Sequence, residues 1–214
     1  MKDKIQAIIL DLGGVILNID PDRTVEKMKE IGLENFDQAY SSMKQNHIFD
    51  RLEKGEIGEA AFYREIQQYG KKSIPVSALR EAWNALLLDF PGERIVKIRK
   101  LKKDYPLFLL SNTNEIHYKK YMDDFFNIYG YSFVDLFEKS FFSHQLGMRK
   151  PDSVIFEFVK REISYPSDKI LFVDDSLVNV ESAVNSGLQA IHLDLKNGDS
   201  LEDLLDNFPN PNRG

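Results

Sequence analysis

The sequence predicts an α/β protein in which a parallel sheet carries helices on its faces and a bundle of helices is inserted after the first strand. Three observations predict it. Apolar runs of strand length each end in a cluster of polar residues, and helical patterns alternate with those runs. One long stretch, about Asp20 to Phe90, breaks the alternation with amphipathic helices alone.

The run from Ile5 to Leu10 is almost continuously apolar and stops at Asp11-Leu12-Gly13-Gly14, as a strand buried on both faces stops at a loop. Similar runs at Pro106 to Leu110 and Lys169 to Val173 end in Ser111-Asn112-Thr113-Asn114 and in Asp174-Asp175. Shorter strands are expected at Lys139 to Ser143 and Gln189 to Leu193. Helical spacing joins Ile95, Ile98 and Leu101, and likewise Val154, Ile155, Phe158 and Val159. Right-handed crossovers make such a sheet parallel and place its ligand site outside the carboxyl ends of the strands, where the polar loops converge.

Within the insertion, Phe62, Ile66 and Tyr69 form one stripe and Leu79, Trp83, Leu86 and Leu87 another, as the core of a bundle would. Pro91-Gly92 marks the return to alternation. The expected division is therefore a core of residues 1–16 and 91–206, a helical insertion of 17–90, and a loosely held tail of 207–214.

With 34 acidic and 28 basic residues the net charge is −6, which repels nucleic acid and anionic lipid. Lys100, Lys102 and Lys103 read as an exposed helix face. The absence of cysteine excludes disulfides, thiolate catalysis and thiolate metal sites. Lys2, Asp3 and Lys4 precede an apolar run too short for a signal peptide, and no window reaches the ~20 apolar residues of a membrane span. The expectation is a soluble, cytoplasmic protein; oligomeric state is not legible.

Asp11 at a strand end, followed by Gly13 and Gly14 that let a ligand approach the backbone, suits a nucleophile or a metal ligand, but also an ordinary turn. Asp174 and Asp175 shift that balance. Adjacent carboxylates near a third repel unless a cation neutralises them, and a few hard oxygens suit magnesium; the plainer reading is a helix cap at Asp175 or Ser176. Lys150, before Pro151 that can open a helix, offers a compact charge to a phosphate oxygen or to the carboxylates. Ser111 and Asn112 offer a hydroxyl, an amide and backbone N–H groups.

Taken in order, these four loops resemble those of the haloacid dehalogenase superfamily over nearly the whole chain. Leu146 to Pro151, and Phe172-Val173-Asp174-Asp175-Ser176 followed by Asn179, look most like the sugar-phosphate phosphatases typified by bacterial glucose-1-phosphatases. The resemblance implies a Rossmann-like core with a helical cap, and an aspartyl-phosphate intermediate on Asp11. It implies Mg2+ on Asp11, the Gly13 carbonyl and Asp175, with Asp174 as a ligand or behind one. Gly14, Ser111, Asn112 and Lys150 would hold the phosphoryl group of a small phosphorylated metabolite, a sugar phosphate in the first place.

One position departs from that pattern. Most phosphatases of the superfamily carry a second aspartate where this chain has Gly13, and use it as general acid and then base. Its loss slows the reaction by about 10²–10⁴-fold without abolishing metal-assisted transfer. Asp20 and His47 are the candidate substitutes, and the segment Asn46 to Gly55 is placed to reach the substrate. Two other readings stay open: a phosphomutase, which Gly13 disfavours, and a catalytically weak or silent phosphate-binding protein. A true haloacid dehalogenase needs no magnesium, and Asp174-Asp175 argues against it.

Overall fold

The computed structural model describes residues 5–38, 40, 47–70 and 72–208, and its apolar runs are strands. These are β1 (Ala7–Leu10), β2 (Leu107–Ser111), β3 (Lys139–Phe142), β4 (Ile170–Asp174) and β5 (Gln189–His192). They pair in the order β3-β2-β1-β4-β5, every neighbour parallel. The three inner strands are buried throughout, whereas the two edge strands are partly open.

Alternate residues of these strands feed two different cores, as a side-chain period of two requires. Ile8, Leu10, Leu107, Leu109, Leu171 and Val173 face one side. There they meet helices α5 (Gly92–Leu101), α6 (Glu115–Tyr129) and α10 (Leu201–Asp206). Ala7, Ile9, Phe108, Leu110, Ile170 and Phe172 face the other, against α8 (Ser153–Ile163) and α9 (Leu177–Asn185), while the short α7 (Ser143–Leu146) follows β3. The result is a three-layer sandwich with β1 at its centre. No helix among the described residues is long and apolar enough to cross a membrane.

Between β1 and β2 lie α1 (Pro21–Glu30), α2 (Ile48–Glu53), α3 (Glu59–Gln67) and α4 (Val76–Asn84), around a core of their own that includes Met28, Leu52, Phe62, Leu79 and Trp83. The chain enters and leaves this bundle over one antiparallel connection. Asn18 N donates to Asp89 O (3.0 Å), Leu88 N to Asn18 O (3.0 Å) and Asp20 N to Leu86 O (2.9 Å).

Several expectations need correction. Tyr69 lies past the end of α3 and is exposed; Tyr63 is buried instead. Leu86 and Leu87 follow α4 and belong to the connection, where Leu87 bridges Ile19 and packs on the sheet. On α8 the buried face is Ile155, Phe156, Val159 and Ile163, so the exposed Val154 sits about one position off the stripe. Lys102 and Lys103 follow α5 rather than lying on it, and Lys102 Nζ donates to Asp135 O (2.8 Å). The start of the tail is held, because Phe208 meets the Tyr105 ring edge-on at 5.5 Å; residues 209–214 lie outside the described residues.

His117 of α6 joins the bundle to the sheet layer. Its Nε2 lies 3.1 Å from the carbonyl of Trp83, which also accepts from Thr24 Oγ1 (3.1 Å), and its Nδ1 lies 3.0 Å from the Asn114 amide. The Trp83 ring stacks on it at 5.1 Å. Burial pulls the His117 pKa down to about 4, with the Trp83 carbonyl opposing. The imidazole therefore stays neutral in the folded chain while an unfolded one takes a proton near pH 6.5. Stability from this group is complete above pH 6.5 and declines as the pH falls towards 4, by about 3 kcal/mol in all. We expect the unfolding free-energy difference between wild type and His117→Gln to shrink by that amount from pH 7 to pH 4 in urea titrations; a pH-independent difference would contradict the assignment.

Candidate active site

The central position of β1 makes the site. Its last residue, Leu10, pairs with Leu109 of β2 on one side and Val173 of β4 on the other, so Asp11 and Asp174 emerge side by side at the carboxyl edge, with Ser111 one residue further along β2 than the position level with Asp11. Asp11 N donates to Val173 O at 2.9 Å, fixing the first residue of the loop.

Lys150 reaches this edge from the loop before α8. Its Nζ is 2.6 Å from Asp11 Oδ1 and 2.6 Å from Asp174 Oδ2, and its side chain is only 1% exposed. The Asn112 side chain holds its backbone from both ends, donating to Lys150 O at 2.8 Å and accepting from Lys150 N at 2.9 Å. Asp174 is fully buried and saturated: besides Lys150 it accepts from Ser176 N (2.8 Å) and from Asn179 Nδ2 (3.0 and 3.2 Å). Asp174 thus orients Lys150, and Lys150 orients one oxygen of Asp11. Among the described residues, Asp11 Oδ2 accepts no hydrogen bond.

Carboxylate oxygens of Asp11, Asp174 and Asp175 lie within 4.8 Å of one another. Burial, assisted by Asp174 and Asp175, pushes the Asp11 pKa up to about 7 against the pull of Lys150. Asp175 is also raised, first by burial and then by Asp174. One ammonium does not offset three converging carboxylates, so the donor set fits a hard divalent cation. Gly14 makes room for the Asp175 carboxylate: at φ +79° a Cβ there would lie 2.5 Å from Asp175 Oδ2. The Gly13 carbonyl accepts no hydrogen bond among the described residues, which fits the expected ligand. A Cβ at Gly13 would lie 3.2 Å from Ile19 Cδ1.

The expected residues therefore separate. Asp11, Gly13, Ser111, Lys150, Asp174 and Asp175 converge, whereas Gly14, expected to help hold the phosphoryl group, lies beside Asp175 with its N–H donated to Leu17 O at 2.8 Å. Asn112 is present, but its amide is committed at both ends to the Lys150 backbone. Asp20 caps α1 by accepting from Asp22 N at 3.1 Å. His47 stands at φ +56° before α2 with its side chain 75% exposed, 3.1 Å from Asp50. Neither belongs to the ligand group of Asp11, Asp174 and Asp175 among the described residues. Asn46 lies outside the described residues. Pro151 does not open the helix, because α8 starts at Ser153.

Some residues at the site's edge have no sequence signature. Arg149 contacts the Asp50 carboxylate directly, and its Nε lies 2.9 Å from Glu53 Oε2, so α2 meets the lysine loop. Asp50 and Glu53 lie in the segment expected to reach the substrate, and proximity in the fold is what singles them out within it.

The chain matches the family model of haloacid dehalogenase-like hydrolases over residues 5–187. D-ribitol-5-phosphate phosphatase of Bacteroides thetaiotaomicron is 29% identical over 185 residues, 86% of this chain and 90% of that protein. Among solved structures, a haloacid dehalogenase family enzyme of the same organism superposes with a TM-score of 0.87 at 32% identity, covering 94% of this chain and 98% of that one. Its complex with magnesium and inorganic phosphate gives 0.85 at the same identity and coverage. The sheet order, the loops and these matches agree: this chain belongs to the haloacid dehalogenase-like hydrolase family.

Proposed function

We propose that the chain is a magnesium-dependent phosphatase acting on a small phosphorylated metabolite, a sugar or alditol phosphate, through an aspartyl phosphate on Asp11. The observation that carries this is the aim of Asp11, a strand-end carboxylate pinned by Lys150 at one oxygen with the other unengaged. The relative named as a D-ribitol-5-phosphate phosphatase, and the neighbour that holds magnesium and phosphate, support the substrate class and the cation.

In this reading residues 1–16 and 91–206 form the catalytic core and 17–90 a cap that excludes water from the site. Asp11, Asp175 and the Gly13 carbonyl would hold Mg2+, with Asp174 behind Lys150. When bound, the cation neutralises the carboxylates and the charge that builds on the phosphoryl oxygens. Asp11 Oδ2 attacks phosphorus in line with the leaving oxygen, whose bond to phosphorus breaks as the new one forms. Water then attacks the aspartyl phosphate, releasing inorganic phosphate and restoring Asp11. Lys150, Ser111 and the backbone N–H at Asn112 hold the phosphoryl oxygens, since the Gly14 N–H is donated to Leu17 O at 2.8 Å. With glycine at position 13, no side chain there protonates the leaving oxygen, so esters with good leaving groups react with the smallest handicap.

The test is a panel of sugar phosphates, alditol phosphates and an aryl phosphate, assayed with magnesium and with chelator. We expect hydrolysis with magnesium, loss with chelator and recovery on re-addition. No hydrolysis of any ester under magnesium favours the silent phosphate-binding protein that Gly13 brings to mind. Gly14→Ala, which strains a left-handed residue and crowds Asp175, should cost about 1–2 kcal/mol of stability. It should also raise the magnesium needed for half-maximal rate roughly tenfold; an unchanged magnesium requirement counts against Asp175 as ligand.

A further inference from the structure

The contact between α2 and the lysine loop holds an ion pair that stability alone does not explain. Arg149 faces two acids of α2, and they are unequal. Asp50 is the outer one, with 39% of its side chain exposed and its Oδ2 turned to His47 at 3.1 Å. Glu53 is the inner one, 27% exposed. Glu53 Oε2 and Arg149 Nε lie 2.9 Å apart, yet both atoms are shut from solvent and neither makes a directional hydrogen bond. Burial raises the Glu53 pKa, and the charge of Lys150 as well as that of Arg149 opposes the rise, which places Glu53 within electrostatic reach of the ammonium that holds Asp11.

Docking of α2 does not require this pair. Asp50 already grips Arg149, Lys54 Nζ lies 3.5 Å from Asp152, and Gly55 at φ +67° fits against the His144 backbone carbonyl, where any Cβ would collide. A buried ion pair whose N–H is not aligned on its acceptor recovers only part of its desolvation cost in the free protein. Vicinal hydroxyls meet that need: each donates to a carboxylate oxygen and accepts from a guanidinium N–H.

We propose that Glu53 and Arg149 together recognise hydroxyl groups of the alcohol esterified to the phosphate, making the chain selective for polyhydroxylated over apolar phosphate esters. The inference rests on the phosphatase reading above and adds the residues that set its specificity. A site built to hydrogen-bond hydroxyls rejects compounds lacking them far more strongly than an apolar pocket rejects a small size change, because its buried polar groups are left unpaired.

The experiment measures kcat/KM for an alditol phosphate and for an aryl phosphate in wild type, Glu53→Gln, Arg149→Lys and Asp50→Asn, each checked for folding by thermal melt. We expect the alditol-to-aryl ratio to fall about 10- to 100-fold in Glu53→Gln and Arg149→Lys, mostly through KM, and to stay within about threefold in Asp50→Asn. Should Glu53→Gln not fold, Arg149→Lys carries the test. An unchanged ratio in the folded variants, or an equal loss in Asp50→Asn, overturns the proposal in favour of a plain latch. Hydrolysis of the aryl ester but of no polyol phosphate by wild type overturns it while leaving the phosphatase reading intact. Hydrolysis of neither overturns both.

Discussion

Asp11→Asn is expected to lower kcat/KM by about 10⁴-fold or more while leaving the circular dichroism of the wild type. The substitution keeps the shape of the side chain and removes the nucleophilic oxygen, so the loss falls on the chemical step rather than on binding. Stability moves the other way. The Asp11 pKa, pushed up to about 7 by burial and its acidic neighbours, means that the metal-free fold loses stability as the pH rises from about 4, where the unfolded carboxyl ionises, to about 7, where the folded one does. Above pH 7 without magnesium, the asparagine variant should therefore melt at or above the wild-type temperature. Substantial turnover in this variant would remove Asp11 from the nucleophile's role.

Lys150→Met should lose both activity and stability, which separates it from the first variant. Lys150 Nζ is held at 2.6 Å by Asp11 and by Asp174, and deleting it leaves two buried carboxylates without their cation. Breaking a buried ion pair by removing one partner costs about 3–5 kcal/mol, because the remaining charge is uncompensated. Urea unfolding of the metal-free protein should show that loss, and Asp11→Asn in the same chain should recover part of it, since the two sites share one network. A loss under about 1 kcal/mol, within the range of an exposed ion pair, would mean that Lys150 is not carrying the charge balance described here.

The parallel sheet was legible because its inner strands are buried on both faces and so read as apolar runs, each broken by the polar residues of a loop. Their order along the chain then places Asp11, Ser111 and Asp174 on one edge. Lys150 is 139 positions from Asp11, and only its place among the four loops pointed to it. What stayed hidden depends on side-chain partners. Asn112 offered an amide to a phosphate, but the backbone of Lys150 takes both of its ends. Asp20 and His47 were attractive for their chemistry, yet one serves as a helix cap and the other stands in solvent.

The same holds for the apolar stripes. Tyr69, Leu86 and Leu87 continue the helical spacing of α3 and α4, but those helices end before them, and periodicity carries no stop signal as strong as a cap. Asp50 is 99 positions from Arg149, and no pattern of charge connects them in the sequence.

The covalent phosphate on Asp11 is the central claim, and a rapid-quench single turnover tests it most directly. Enzyme in excess over a phosphate-labelled ester, with magnesium, is quenched in acid at early times, and the protein is reduced with borohydride and mapped by mass spectrometry. The account predicts transient label on the protein and reduction of residue 11 to homoserine, both absent in Asp11→Asn. Label released as inorganic phosphate with none passing through the protein, at times when product is still forming, would contradict it.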